Sequence, residues 1–380
     1  MNSSYQICQV CVMDTTDPEI AFYGEKGCNH CISMRSTLGI NWFLDESGSD
    51  RLDEILAKIK YEGEDKEFDS ILGLSGGVDS SYLALKAYDW GLRPLVVHID
   101  GGWNSELAVR NIQSILDFTG WELQTNVINW NEMKDLQIAY LKSGVANQDV
   151  PQDHAFFSSL YSFATKNRIK YVLSGGNTST EGIFPKSWHW SAMDSINLKA
   201  IHESHGSRKL IDYPTTSFWR YYFTYPFVKK MKPLRLLNLI PYNKEEALKE
   251  LEERVDYRRY PRKHGESSFT RFFQGYFLPY RYGFDKRLPH LSSQIVSGQL
   301  SRAEALETLK EPLYLKGEIE RDIQYLCRKL DTTREEFDLI LNAPLTKANE
   351  LPNWSKKHNR LKSIQKLVEF FIRRKITIFS

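Results

Sequence analysis

Four of the five cysteines fall within the first 31 residues, as Cys8-x2-Cys11 and Cys28-x2-Cys31. Sixteen residues separate the two pairs. Each C-x2-C pair can present two thiolates from a tight knuckle. Two such pairs close a tetrahedron of sulfurs, the arrangement that holds structural zinc. A structural zinc contributes roughly 10–16 kcal/mol in small peptides, enough to order a module with little core. Free buried cysteines and an iron–sulfur cluster are the other readings, and the knuckle spacing favours zinc. Four sulfurs leave no open position for chemistry, so the zinc is read as structural and His30, inside the second knuckle, as a bystander.

A second chemical signal is the string LSGGVDS at residues 74–80. An apolar run precedes it and a helical pattern follows. Gly76 and Gly77 let the backbone approach a phosphate closely. Ser75, Gly76 and Gly77 can form a nest of N–H groups, and the next helix adds the positive end of its dipole. Ser75 and Ser80 can donate hydroxyls. The loop has no lysine, which a Walker-type loop uses on the β- and γ-phosphates. It has Asp79 instead, and a carboxylate there makes sense if Mg²⁺ bridges it to the phosphates. As a bare strand–turn–helix, Asp79 would only cap.

The elements around these residues alternate. Strands are expected at Asp69–Leu74, Pro94–Ile99, Leu123–Ile128 and Ile169–Leu173. Helices are expected at Asp79–Trp90, Asn104–Phe118 with Asn104 as N-cap, Met133–Lys142 and His154–Asn167. Such alternation implies βαβ units, a mostly parallel sheet and ligands beyond the carboxyl ends of its strands. Asp153 and His154 read as caps of the helix after Pro151. Arg235–Ile240 could add a strand, and Asn243 could cap the helix KEEALKELEERV. The reading is an α/β chain: a zinc-ribbon module (1–45), a charged linker and helix (46–67) with Leu52, Ile55, Leu56 and Ile59 as apolar stripe, an α/β nucleotide domain with helices on both faces of the sheet (68–245), and a helical domain with a basic tail (246–380).

Composition bounds the function. The chain has 380 residues, 41% hydrophobic and 26% charged, with a net charge of +2. That balance argues against a dedicated nucleic-acid binder. No run of eighteen apolar residues exists. The start MNSSYQICQV does not read as a signal peptide, and a cytoplasmic protein is expected. The tail, 354–380, has eight Lys or Arg against one Glu. It reads as a solvated amphipathic helix with Leu367, Val368, Phe370 and Phe371 on one side, or as a dock for a partner or, peripherally, an anionic membrane.

SGGVDS resembles the PP-loop of the ATP pyrophosphatase superfamily, whose members cleave ATP between the α- and β-phosphates. Those members include NAD, GMP, asparagine and argininosuccinate synthetases and tRNA thiolases. HIDGGW (98–103) resembles the segment beside the adenosine. SGGNTSTE (174–181) resembles the loop where ammonia-dependent NAD synthetases place a glycine and a Mg²⁺-binding glutamate, here Gly175 and Glu181. The resemblance implies ATP or pyrophosphate contacts at Ser75, Gly76, Gly77, Asp79, Ser80, Asp100, Gly175 and Asn177, with Mg²⁺ on Asp79 and Glu181.

Residues 263–274, KHGES-x-FTR-x-FQ, together with the zinc module and the PP-loop, resemble the bacterial N-acetyl sugar amidotransferases of surface-polysaccharide (lipopolysaccharide, O-antigen) biosynthesis. The likeness covers nearly the whole chain, departing at Leu288–Pro289, where a further basic residue is expected after Lys286–Arg287. It implies ATP-dependent conversion of a sugar acetamido group to an acetamidino group. It also implies ammonia passed on by glutaminase and cyclase-like barrel partners. Asp79, Ser80, Lys263, His264 and Glu266 are then catalytic candidates. Lys263 or Arg271 would meet a sugar carboxylate or diphosphate, and His264 or Glu266 would take the proton from attacking ammonia. By composition alone KHGES reads as a polar turn, with Ser267 or Ser268 capping the next helix. Residues 32–326 contain no cysteine, which counts against the alternative of tRNA thiolation, and a second alternative, built-in glutamine hydrolysis, lacks a nucleophile, since position 2 is Asn2 and Cys327 sits in YLCRKL without flanking glycines. A non-catalytic zinc-ribbon scaffold is the third alternative, and the presence of Ser75, Asp79 and Ser80 argues against it.

Overall fold

A computed structural model describes residues 5–261, 265–314 and 317–372, the side chains of 364–372 excepted. Lys263 and His264 therefore lie outside the described residues, as do the side chains of Leu367, Val368, Phe370 and Phe371.

Five parallel strands, β1 (Ser70–Gly73), β2 (Pro94–Asp100), β3 (Leu123–Val127), β4 (Tyr171–Leu173) and β5 (Lys232–Leu234), form one sheet in the order β3-β2-β1-β4-β5. The inner strands are buried on both faces, so they read as continuous apolar runs. Ile71, Val97 and Val172 face one core; Leu72, Val96 and Leu173 face the other. The chain winds outward from β1 in both directions, so the strand order switches between β1 and β4. Crevices at such a switch, beyond the carboxyl ends, are where doubly wound sheets bind ligands.

Two cores flank the sheet. Of the N-terminal helices, α1 (Asn29–Arg35) belongs to the cysteine module. The stripe of α2 (Ser49–Glu62) packs on one sheet face through Leu52, Leu56 and Ile59, beside α3 (Val78–Asp89) and α4 (Glu106–Thr119). On the other face lie α5 (Trp130–Ser143) and α6 (Val150–Lys166). The short α7 (Thr178–Glu181) follows β4, and α8 (Ser195–His205) packs on α5. Asn243 caps α9 (Lys244–Val255), accepting from the N–H groups of Glu245 and Glu246.

Three local expectations change. Ser105, not Asn104, caps α4, because Asn104 is drawn onto the imidazole Nε2 of His98 at 2.8 Å. The fifth strand is 232–234, and Leu236–Leu239 after it close into a buried 3₁₀ turn instead of extending. Asp153 and His154 do not cap: Pro151, with its fixed φ, sits in the first turn of α6, which starts at Val150. His154 is instead buried between the carbonyl of Ala192 and the N–H of Thr216.

The C-terminal part is helical. Ser267 caps α10 (Ser268–Phe272), which continues through a π-helical turn into α11 (Leu278–Tyr282). Phe269, Phe272 and Phe277 form a third core with α14 (Glu318–Leu330) and α15 (Arg334–Asn342). The intervening α12 (Arg287–Val296) and α13 (Arg302–Lys310) pack on the cysteine module. The last helix, α16 (Ser355–Ile372), begins at buried Trp354, which stacks on Tyr221. No helix among the described residues is long and apolar enough to cross a membrane.

Candidate active site and metal centre

The glycine loop bridges β1 and α3. Gly76 holds φ +80°, and a Cβ there would sit 2.6 Å from the carbonyl oxygen of Ala108. Its own carbonyl accepts from the hydroxyls of Tyr257 and Tyr260, at 3.0 and 2.8 Å. Ser75 and Ser80 meet at 3.0 Å through their hydroxyls, and Gly77 N–H reaches Ser75 Oγ at 3.3 Å. The loop is thereby fixed from inside while the N-terminus of α3 faces the crevice, where its unsatisfied N–H groups suit an anion.

The loop after β4 comes to meet it. A Cβ on Gly175 would lie 2.9 Å from the N of Ser80, so only glycine lets the two loops touch. Asn177 caps α7 with its carbonyl oxygen and donates its amide to Asp79 at 3.1 Å. Tyr242 donates its hydroxyl to the same carboxylate oxygen. Burial, then the charge of Asp79, push the Tyr242 phenol well above its ordinary range, so it stays a donor. Ser75, Asp79, Ser80, Gly175 and Glu181 all line one cleft of about 950 Å³. Two carboxylates lining one cleft are a donor set suited to a hard cation. Asp100 serves its own turn: its carboxylate accepts from Gly102 N–H at 2.8 Å.

The C-terminal domain reaches this loop by main-chain pairing. Ser105 N–H donates to the Glu266 carbonyl and Ser268 N–H to that of Trp103, both at 2.9 Å. This bridge brings the Glu266 carboxyl to 3.8 Å from where a Cβ of Gly77 would stand. Glu266 therefore stands beside the glycine loop. Arg271 does not join them. Its Nη2 contacts both carboxylate oxygens of Asp322 at 2.8 and 2.9 Å, because the turn of α10 that carries Thr270 toward the cleft carries Arg271 toward α14.

A further charged cluster lies near Glu181, outside the residues that line the cleft. Asp149, before α6, accepts from Thr270 at 2.9 Å and from Gln274 at 3.3 Å. Asp153 lies one turn on. Burial, then Asp149, raise its carboxyl above the usual range. Lys286, before α12, is pushed down to about 8 by burial, opposed by Asp149, Glu181 and Asp153. Both side chains keep some accessible surface. The sequence expectation reads Asp153 as a cap and notes Lys286 only as part of a basic pair, and it does not mark Asp149. The cluster's only local trace is a pair of acids either side of Pro151 and a Lys–Arg pair just before an amphipathic helix. The Leu288–Pro289 departure has a structural reason: both residues are buried, Leu288 in the core it shares with the cysteine module, and α12 packs against α7, which carries Glu181.

At the N-terminus the four cysteine sulfurs are buried and lie within 4.8 Å of one another. Neighbouring pairs stand 3.7, 3.8 and 3.9 Å apart. A tetrahedron with Zn–S bonds of about 2.3 Å has edges of about 3.8 Å, so the site fits zinc. Backbone N–H groups of Val10, Cys11 and Met13 point at the sulfurs, and Arg302 of α13 holds the carbonyls of Cys8 and Cys11. His30 turns away to Asp17 at 2.7 Å.

The fold and the cleft define a doubly wound α/β protein with a lysine-free glycine loop at its topological switch point. Residues 266–367 match the family described as LPS biosynthesis protein WbpG-like, C-terminal domain. The match falls on the helical C-terminal part of the chain. No curated protein matches the chain. Among solved structures, it is similar to NMN synthetase from Francisella tularensis, at 14% identity over 75% of this chain and 97% of that one, with a TM-score of 0.37. It is also similar to the NH3-dependent NAD synthetase from Campylobacter jejuni, at 13% identity over 79% of this chain and 98% of that one, TM-score 0.30. The NAD+ synthetase from Burkholderia pseudomallei is similar at 15% identity over 58% of this chain and 92% of that one, TM-score 0.29.

Proposed function

We propose that this protein is an ATP-dependent amidotransferase that converts a sugar acetamido group to an acetamidino group during synthesis of a bacterial surface polysaccharide. The observation that supports it most is the meeting of two parts at one cleft: the lysine-free phosphate loop, and Glu266 of the WbpG-like domain pinned beside Gly77.

An amide carbon is a poor electrophile, but its oxygen can attack the α-phosphorus of ATP. That oxygen–phosphorus bond forms as the bond to the bridging oxygen breaks, and pyrophosphate leaves. Ammonia then bonds to the imidate carbon, a base takes its proton, and AMP departs with the former amide oxygen. In this scheme the Gly76–Gly77 backbone and the start of α3 hold the departing phosphate pair, which needs no lysine reaching for the γ-phosphate. Glu266 is within reach of the loop to act as base, beside His264 in sequence. Asp79 and Glu181 would hold Mg²⁺, which when bound neutralises charge on the leaving pyrophosphate.

Ammonia is assigned to glutaminase and barrel partners, because Cys327, the one cysteine outside the metal cluster, is buried and burial pushes its thiol up. The test is incubation with ATP, ammonium and an N-acetylhexosamine carrying ¹⁸O in its acetyl carbonyl. The label should appear in AMP and the sugar should gain nitrogen. Formation of ADP, or of unlabelled AMP, overturns the proposal.

A further inference from the structure

A π-helical segment, Arg220–Val228, follows the buried Phe218 and has two sides. Tyr225, like Phe218, goes into the core on one sheet face. Trp219, Phe223, Phe227 and Val228 stay exposed, at 55, 37, 51 and 71%. Residues four apart share a side of the segment, and the rings meet in succession. Trp219 and Phe223 stand 5.1 Å apart between centroids, and Phe223 and Phe227 stand 6.0 Å apart. Single exposed apolar side chains are ordinary on a protein surface, but a continuous aromatic stripe marks a contact face.

The charge beside this stripe has one sign. Residues 217–232 contain Arg220, Lys229, Lys230 and Lys232 and no Asp or Glu. The start of α16 packs against the same segment: Trp354 lies against Phe218, Tyr221 and Tyr222, and His358 against Tyr222. Residues 354–363 add Lys356, Lys357, Arg360 and Lys362, again with no acid. Among the described residues none of these eight cations closes an ion pair. The whole chain carries a net charge of only +2, so two adjoining segments hold a local concentration of positive charge. Such a face suits an acidic protein or an anionic bilayer, and its composition decides. Six of the eight cations are lysines. Protein interfaces are depleted of lysine and favour arginine, whose planar fork pairs with carboxylates. Lysine is a hydrated point charge, suited to the diffuse field of anionic headgroups. Trp and Phe on one side with lysines beside them is the pattern of segments that lie in the headgroup region.

We propose that Trp219, Phe223, Phe227 and Val228, flanked by these lysines, seat the protein reversibly on an anionic phospholipid bilayer. The rings enter the headgroup boundary while the ammonium groups stay at the level of the lipid phosphates, so no segment needs to cross the membrane. The proposal stands apart from the amidotransferase reading.

Co-sedimentation of the full chain with vesicles tests it. One set is equal parts phosphatidylglycerol and phosphatidylcholine, the other phosphatidylcholine alone. Binding to the first and little to the second is expected. That binding should fade in about 0.5 M salt, where charges are screened within a few Å. Lys229→Gln with Lys230→Gln should weaken it roughly twentyfold, at about fivefold per charge. Trp219→Ser with Phe227→Ser should weaken it by about tenfold or more. All four residues are exposed, so both variants should melt near the parent and turn over ATP in solution as it does. The proposal is overturned if the parent fails to sediment with phosphatidylglycerol, if it sediments equally with both sets, or if the variants sediment like the parent. Light scattering that shows a dimer dissociated by Trp219→Ser with Phe227→Ser, without lipid binding, overturns it too and makes the stripe a contact between copies of this chain.

Discussion

Gly76 and Gly77 are adjacent and chemically identical, yet the structure gives them opposite tasks, and alanine separates the two. At Gly76 a Cβ would adopt φ +80° and stand 2.6 Å from the Ala108 carbonyl. The left-handed conformation costs about 1–2 kcal/mol for an L-residue. Overpacking against backbone that cannot rotate away adds about 1–3 kcal/mol. Gly76→Ala should therefore lose about 2–5 kcal/mol. With an unfolding entropy of about 2.1 cal/mol/K per residue, that is a fall of roughly 3–6 °C if the chain unfolds as one unit. At Gly77 the backbone is ordinary, and the nearest atoms to a Cβ are Ser75 Oγ at 3.4 Å and the Glu266 carboxyl at 3.8 Å. Gly77→Ala should melt within about 1 °C of the parent, since surface changes of this kind stay within about 0.5 kcal/mol. Its methyl group, however, stands where a phosphate would approach the loop. A displacement of about 1 Å there costs on the order of a hundredfold in rate. Differential scanning fluorimetry and pyrophosphate release from ATP measure the two effects. If Gly77→Ala turned over ATP like the parent, the loop would not be a phosphate cradle. If Gly76→Ala melted like the parent, the loop geometry itself would be wrong.

Zinc analysis should find one ion per chain. Cys28→Ser should lose it and destabilise by several kcal/mol, and ATP turnover should fall with it because the module supports α12. Arg271→Ala should cost at most about 1 kcal/mol, a half-exposed pair with Asp322 being worth little, and should leave the KM for sugar unchanged; a raised KM returns Arg271 to the cleft. Burial pushes His154 down to about 4, below the roughly 6.5 of an unfolded histidine. The unfolded chain then takes the proton first, so the stability linked to His154 is complete above pH 6.5 and drains as pH falls toward 4. Imidazole NMR should show His154 neutral at pH 5.5; an ordinary titration there refutes the burial argument.

The parts legible in sequence share a property: their meaning is local. The cysteine knuckles, SGGVDS, SGGN after β4, Ser267 before α10 and Asn243 before α9 each carry their geometry in fewer than ten residues. The misplaced parts fail where a distant group competes. Asn104 has a capping side chain, but His98, across the β2 turn, takes it. Arg271 carries the right charge for a substrate, but Asp322, fifty-one residues on, claims it. Lys286 and Asp149 signal nothing alone, since a lysine and an aspartate at helix starts are commonplace; only folding brings them near one another.

That difference bears on how the protein chooses its acceptor. The phosphate side is assembled from short loops at a switch point, a solution open to many acceptors. On the amidotransferase reading, the acceptor side draws Glu266 from a segment far along the chain. The C-terminal part meets the α/β part through main-chain hydrogen bonds at Trp103–Ser105 and through a shared core in which Trp103 packs on Phe269. Shifting that bridge by one residue would turn Glu266 from Gly77 and disturb this core. On the proposed reading, acceptor specificity depends on the docking of the C-terminal part and ATP use on the loop. Ser268→Pro, which removes the N–H donated to Trp103, should accordingly lower sugar-dependent AMP formation far more than it lowers ATP binding. Equal losses in both would place specificity in the α/β domain instead.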